Sequence, residues 1–319
     1  MRAVVLGVHV LDVLVRPVTE IPAGQGGQLV EEIRMTAAGT AGGTAVTLAK
    51  LGAQVRSAGA IGDDALGDAL IGRLEAGGVD TTLLVRRADV QTSASVLPIR
   101  PDGSRPAFHV IGANATYTAQ DAPRAAIAGA THLHLGAPEF MGGEQAALIL
   151  RDAHEAGVVT SADLLAPGEQ AAQIRDWIAP ALPHLDYLLP NDEQVLALTG
   201  ARDLEAGARE LVTAGVGCVA ATRGADGALV VTATETLEVP AYAAEVVDTT
   251  GCGDAFSAGF LRGRSIGEDL AGAARLGCAT AALVAGGLGS DHGSFDLRAA
   301  QDVVVTMQTV TPTRRPSPA

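Results

Sequence analysis

Asp248-Thr-Thr-Gly-Cys-Gly-Asp-Ala-Phe256 sits between an apolar, strand-like stretch, Ala241–Val247, and a helical one, Ala255–Gly263. Glycines at 251 and 253 free the backbone to turn tightly and leave no Cβ in the way of an approaching anion. The N–H groups that open the helix point outward without intrahelical partners, at the positive end of its dipole. Such a helix start accepts phosphate groups. Asp254 stands where a hydroxyl attacking a bound phosphate needs a proton acceptor. Phosphoryl transfer asks a protein for little more than positioning, charge stabilisation and that acceptor. Four residues alone also describe a plain helix N-cap. Their meaning therefore depends on the rest of the chain.

The surrounding pattern is a regular alternation. Short apolar runs predict strands at Ala3–Leu6, Val55–Ile61, Thr131–Leu135, Val158–Ala162, Tyr187–Leu189, Cys218–Ala221 and Leu229–Val231. Amphipathic stretches predict helices at Thr44–Leu51, Ala65–Ala76, Gly143–Ala156, Asp192–Leu198 and Leu204–Ala214. Strands alternating with helices give an α/β fold with a mainly parallel central sheet and helices on both faces. In such folds ligands gather at the carboxyl ends of the strands. Two regions break the rhythm: Ala23–Thr36 alternates without a following helix, and Ser93–Ile99 with Ala107–Ile111 reads as a hairpin around Pro101-Asp-Gly103. Strands inserted at about 14–36 and 92–112 are expected to form a small separate sheet, a lid or an oligomer interface. One domain over 1–310 is expected, followed by a Pro-rich disordered tail, Thr311–Ala319.

Composition narrows the function. The 319 residues are 48% apolar but only 3% aromatic, which suits a layered core of small side chains and argues against disorder. A formal charge of −14 with no basic stripe excludes a phosphate-backbone binder, so nucleic acid is not an expected partner. Three widely spaced cysteines give neither a disulfide framework nor a zinc pattern. The chain opens as a strand without a signal-peptide profile, and no apolar run spans a bilayer. The cytoplasm is the expected location. A Gly-x4-Gly-Lys-Ser/Thr loop is absent, and the only lysine, Lys50, lies in a predicted helix. Gly7-Val-His-Val-Leu-Asp12 is not a dinucleotide fingerprint.

Asp-Thr-x-Gly-x-Gly-Asp-x-Phe resembles the C-terminal signature of the ribokinase-like, or PfkB, family of carbohydrate kinases, and the resemblance runs from about Ala3 to Leu297. It implies a three-layer ribokinase-like fold with a β-sheet lid, and transfer of the γ-phosphate of ATP to a hydroxyl of a sugar-like substrate. In that family the Asp is the base and the preceding amides form the anion hole. Those roles fall on Asp254 and on Gly251, Cys252 and Gly253, with Cys252 where Ala is usual. A thiol at a helix start is also a candidate for a lowered pKa. Ala38-Gly-Thr-Ala-Gly-Gly-Thr-Ala45 resembles the N-terminal Gly-rich signature and assigns Gly39, Thr40 and Gly43 to the substrate, with Gly43 in place of the usual Asn. Asp12 is similar to an Asp that grips sugar hydroxyls, and Gly112-Ala-Asn-Ala115 adds Asn114.

Further matches concern the nucleotide. Leu188-Leu-Pro-Asn-Asp-Glu-Gln194 resembles the Asn-x-x-Glu region that orders waters around Mg²⁺, which gives Asn191 and Gln194 a water-mediated metal role with Gln where Glu is usual. Thr222-Arg-Gly-Ala-Asp-Gly227 resembles the nucleotide-side turn, placing Thr222, Gly224 and Gly227 at ATP; Cys278 and Gly289 align near the base. Asp248 and Thr250 resemble a loop that holds a monovalent cation such as K⁺ in some members. Gly136 follows Leu133-His-Leu135 where ribose-specific members carry Glu, so a ketose or sugar acid fits as well as ribose. A nucleoside is the second reading, with Phe108, Tyr117 and Phe140 as the aromatics to enclose a base. A ligand-binding pseudokinase is the third. Pairing of lid strands between subunits, a homodimer, is also implied.

Overall fold

The computed structural model describes residues 1–101, 104–165 and 171–310. Asp102 and Gly103 of the expected turn, and the tail Thr311–Ala319, lie outside the described residues. Among them, thirteen strands run β1 (Arg2–Gly7), β2 (Val10–Arg16), β3 (Glu32–Ala38), β4 (Gln54–Gly62), β5 (Asp80–Arg87), β6 (Ala94–Pro98), β7 (Phe108–Val110), β8 (His132–Gly136), β9 (Val159–Asp163), β10 (Tyr187–Leu188), β11 (Cys218–Thr222), β12 (Ala228–Val231) and β13 (Thr236–Val239). Nine form one sheet in the order β13-β12-β11-β10-β9-β8-β1-β4-β5. It is parallel from β11 to β5, and β12 pairs antiparallel with both of its neighbours.

The alternation of β1 explains the layers. Ala3 and Val5 enter one apolar cluster with the helices Thr40–Lys50, Cys252–Ser265 and Leu270–Ala285, whereas Val4 and Leu6 enter the other with the helix Gly143–Glu155. Successive side chains of a strand point to opposite faces, so a continuous apolar run fills both cores. No helix among the described residues is long and apolar enough to cross a membrane.

The lid is a second sheet, β3-β2-β6-β7. Its root is fixed by Asp64, which caps the helix Ala65–Ala76 through Gly67 N–H (2.8 Å) and accepts Thr92 N–H (2.8 Å) and Thr92 Oγ1–H (2.7 Å). The two faces of the lid differ. Register aligns Met35, Val13, Val96 and Phe108 in one row across the four strands and Thr36, Asp12, Ser95 and His109 in the next. The first row faces outward, with Met35, Val96 and Phe108 exposed; Leu14 and Leu97, which share the second face, pack inward on Leu288.

Three sequence expectations change. Ala241–Val247 forms no strand: an isolated bridge, Tyr242 to Thr309, ties one end, and Val247 N–H on Ala285 O (2.8 Å) ties the other. The first helix opens at Thr40, so the Gly-rich segment is helix rather than its lead-in. Lid strand β2 begins at Val10 rather than near residue 14, so Asp12 lies within the lid.

Candidate active site

Gly251 is the N-cap of the helix Cys252–Ser265, at φ +77°. An L side chain is strained there, and a Cβ would lie 2.5 Å from Ser290 Cα. Cys252 N–H bonds Thr249 O at 3.3 Å and Ala255 N–H bonds Gly251 O at 2.8 Å. The amides of Gly253 and Asp254, between them, meet no acceptor among the described residues. Gly253 is exposed, and nothing stands within 4 Å of where its Cβ would be. Two dipole-end donors are thus left without a partner among the described residues.

Asp254 projects from this first turn and is half-buried. Among the described residues no donor bonds its carboxylate. Burial, and then the charges of Asp163 and Asp12, hold its pKa well above the usual carboxylate range. Gly43 lies directly under it: a Cβ there would be 2.1 Å from Asp254 Oδ2. Thr44 Oγ1 donates to the Asp254 carbonyl at 3.4 Å, so the helix Thr40–Lys50 supports the same turn.

Asp163, at the carboxyl end of β9, was not singled out by sequence. It is buried, accepts Leu164 N–H (2.7 Å) and Ser257 Oγ–H (3.3 Å), and its pKa is pushed up to about 7 by burial and by Glu139. Glu139 accepts Leu165 N–H at 2.5 Å. Position at a strand's carboxyl end was the one signal available for Asp163.

On the lid side Asp12 is buried, with its pKa raised to about 6 by burial against the lowering effects of Ser95 and Arg105. Arg105, in the loop between β6 and β7, places Nε 3.5 Å from Asp248 Oδ1. Thr40 is buried with an Oγ1 that finds no partner among the described residues, and Gly39, at φ +82°, packs on the Val8 carbonyl. Asn114 is occupied: Oδ1 accepts His9 N–H (3.1 Å) and Nδ2 donates to His9 O (2.9 Å), which fixes a loop rather than leaving an amide for a ligand. Gly136 is set by packing, since a Cβ would lie 2.3 Å from Ala41 N. Of the aromatics, Phe108 is on the outer face of the lid, Tyr117 is buried with its hydroxyl on Asp121 O, and Phe140 packs on Val8, Val10 and Ala38.

A cavity of about 470 Å³ opens beside Cys252 and Gly253, walled by Thr222, Gly224 and Gly227 on one side and by Cys278, Ala281 and Ala282 on the other. Its surface is mostly apolar, as a planar base requires. Cys278 was expected here; the alanines at 281, 282 and 285, at helical spacing from it, were the missed signal. Gly289, Asn191 and Gln194 do not line this cavity. Gly289 donates N–H to Asp248 Oδ2 (2.9 Å) and packs on Thr36, linking lid and anion loop. Asn191 and Gln194 form a reciprocal capping box (2.7 and 2.8 Å), and Gln194 Nε2 donates to Leu164 O at 2.8 Å. The cap occupies Asn191 Oδ1 and both polar groups of the Gln194 side chain. Asp248 is likewise saturated by Thr250 N–H (2.9 Å), Thr250 Oγ1–H (2.7 Å) and Gly289. Burial and the neighbouring carboxylates push the Cys252 thiol up to about 12, the reverse of the lowering expected at a helix start.

Residues 2–295 match the family model of the pfkB family carbohydrate kinases. An ATP-dependent ribose-1-phosphate kinase of Halopiger xanaduensis is 32% identical over 277 residues, 86% of this chain and 88% of that protein. A nucleoside kinase of Methanothermobacter thermautotrophicus is 27% identical over 83% of each chain. Among solved structures, the apo form of a putative ribokinase II from E. coli superposes with a TM-score of 0.84 at 22% identity, covering 95% of this chain and 99% of that one.

Proposed function

The chain belongs to the pfkB family of carbohydrate kinases, with the ribokinase-like fold, and on that premise we propose that it transfers the γ-phosphoryl group of ATP to a hydroxyl of a sugar or sugar-like substrate with Asp254 as the base. The observation that carries this reading is the pairing at one helix start of unpartnered amides with a donor-free carboxylate of raised pKa. Adenine enters the cavity beside Cys278, which directs the phosphates toward the amides of Gly253 and Asp254. The substrate ring lies between Asp12 on the lid and Asp254, its attacking hydroxyl on the carboxylate. The lid covers the ring and excludes water from the transfer.

Mg²⁺ fits the opposite side of the site. Glu139 and Asp163 are buried carboxyl groups that repel each other, and a divalent cation relieves that repulsion. They are the residues that would hold it. Among the described residues no group of three metal-ligating side chains exists, in keeping with an ion that takes few carboxylates and relies on phosphate oxygens. Bound there, it neutralises charge on the transferring phosphates.

The relatives act on ribose 1-phosphate and on a nucleoside, both substituted riboses. The direct test is ADP release with Mg²⁺·ATP across pentoses, hexoses, sugar acids, sugar phosphates and nucleosides. Turnover is expected for at least one, rising with pH as Asp254 ionises; no release with any member refutes the reading.

The outer row of the lid supports a homodimer. Met35, Val96 and Phe108 stand exposed in one line, with Phe108 59% exposed. An apolar stripe across a small sheet is a self-association surface. Sedimentation is expected to find a dimer, and Phe108→Asp to raise its dissociation constant about tenfold or more; a wild-type monomer at micromolar concentration removes the proposal.

A further inference from the structure

The loop 289–293 is held from several sides at once. Gly289 donates its N–H to Asp248 Oδ2 at 2.9 Å. Ser290 lies directly against the anion turn, since a Cβ on Gly251 would stand 2.5 Å from Ser290 Cα. On the lid side Arg34 Nη2 meets Asp291 Oδ1 at 2.7 Å, and Gly289 packs on Thr36. The remaining support is the last residue of the helix Thr40–Lys50. Lys50 Nζ donates to the carbonyls of Asp291 (2.7 Å), His292 (2.8 Å) and Gly293 (2.7 Å), and stands 4.9 Å from the centroid of the Phe295 ring.

Three consecutive carbonyls converging on one nitrogen form a cation cage. An ammonium has three N–H donors and no acceptor, so three carbonyls satisfy it completely. Arg34 engages the Asp291 carboxylate, and the hydrogen bonds of Lys50 all go to backbone. An arginine fits such a cage poorly, because its planar fork spreads the donors that an ammonium gathers at one point. Lys50 is the only lysine among the 22 Lys and Arg residues of the chain. Burial lowers its pKa to about 8, which leaves it charged at neutral pH.

The same helix also meets the catalytic turn directly. Near its start Gly43 underlies Asp254, and Thr44 Oγ1 donates to the Asp254 carbonyl. At its end Lys50 reaches that turn through the loop. Resting on the kinase reading above, we propose that Lys50 is a positioning residue for phosphoryl transfer: its ammonium is the built-in cation that folds loop 289–293 against the turn 251–254 and so sets where the turn's amides and the Asp254 carboxylate stand. It acts through the loop and not on the substrate. Without that charge the three carbonyl dipoles repel one another, and Gly251 loses the backbone it packs on. A dissolved ammonium ion has the chemistry to refill the cage.

Lys50→Met keeps the stem beside Phe295 and removes the ammonium; Lys50→Ala removes both. Both variants and the wild type are compared at pH 7 and one ionic strength, in ammonium chloride and in tetramethylammonium chloride, whose ion has no N–H to donate. Two quantities are measured: kcat by ADP release, and hydrogen exchange at amides 249–255, where Ala255 N–H bonds Gly251 O at 2.8 Å. In tetramethylammonium the kcat of both variants is expected to fall about tenfold or more, since a misplacement of about 1 Å costs on the order of 10²-fold. Exchange at 249–255 is expected to quicken about tenfold while exchange in β1 keeps the wild-type rate. Ammonium is expected to reverse both changes in part, beyond any response of the wild type. Values within about threefold of wild type in Lys50→Met, exchange that quickens equally in β1, loss of the folded state in both variants, or no ammonium response in either overturns the proposal. Exchange needs no turnover, so a wild type that releases no ADP refutes the phosphoryl-transfer reading and leaves the coupling of Lys50 to the turn to be decided by exchange.

Discussion

Asp254→Asn is expected to lower kcat by about a thousandfold or more while the dissociation constant for ATP changes less than about threefold. The amide is close to isosteric but accepts no proton, and a positioned base contributes about 10²–10⁴-fold to such a step. The cavity proposed for adenine is built from Thr222, Gly224, Cys278 and the alanines of the helix Leu270–Ala285, none of which the substitution touches. A second measurement separates chemistry from damage. The raised pKa of Asp254 means that its ionised form is disfavoured by burial and by Asp163 and Asp12. Removing that charge is expected to leave the melting temperature unchanged or raised. Turnover of Asp254→Asn within about tenfold of wild type would overturn the mechanism. The sign with pH follows: the base works ionised, so activity is lost as pH falls through the raised pKa.

The second large effect is expected at a glycine. In Gly43→Ala the new Cβ would stand 2.1 Å from Oδ2, 2.8 Å from Cγ and 3.0 Å from Cβ of Asp254. No carbon occupies that space, so the carboxylate rotates off its position or the two helices part. Misplacement of a reacting group by about 1 Å costs on the order of 10²-fold in rate. Helix propensity acts in the opposite direction: Ala favours the first turn of Thr40–Lys50 over Gly by roughly 1 kcal/mol. A folded protein with kcat down about a hundredfold and an unchanged ATP constant is the expected pattern. A kcat within about threefold would mean that the carboxylate does not need its place against Gly43.

Gly43 marks the boundary between what sequence reading reaches and what it misses. In the sequence it reads as a lost hydrogen bond, an absent Asn; in the structure it is the space that Asp254 occupies. Gly136 has the same history, since the backbone of Ala41 fills the place a side chain would take. Asn114 and Gln194 carry side chains suited to ligands, yet both spend them on backbone groups of other segments or of their own helix start. A residue type states what a group can bond, but only packing states whether the bond is already made.

The sequence by itself determined the alternation of strands and helices, the Gly-Cys-Gly-Asp helix start and the family. Each is a matter of local periodicity or contiguous spacing, carried by residues a few positions apart. Tertiary structure alone decided the rest. It brought Asp163 of β9, Gly43 of the first helix and Asp12 of the lid to one carboxylate 91 to 242 positions away along the chain. It turned Phe108 outward and His109 inward, because neighbouring residues of a strand face opposite sides and the register of four strands sets which side meets the site. And it reversed the expectation for Cys252 at the Gly251–Gly253 turn, where desolvation and nearby carboxylates outweigh the dipole of the helix that the turn begins.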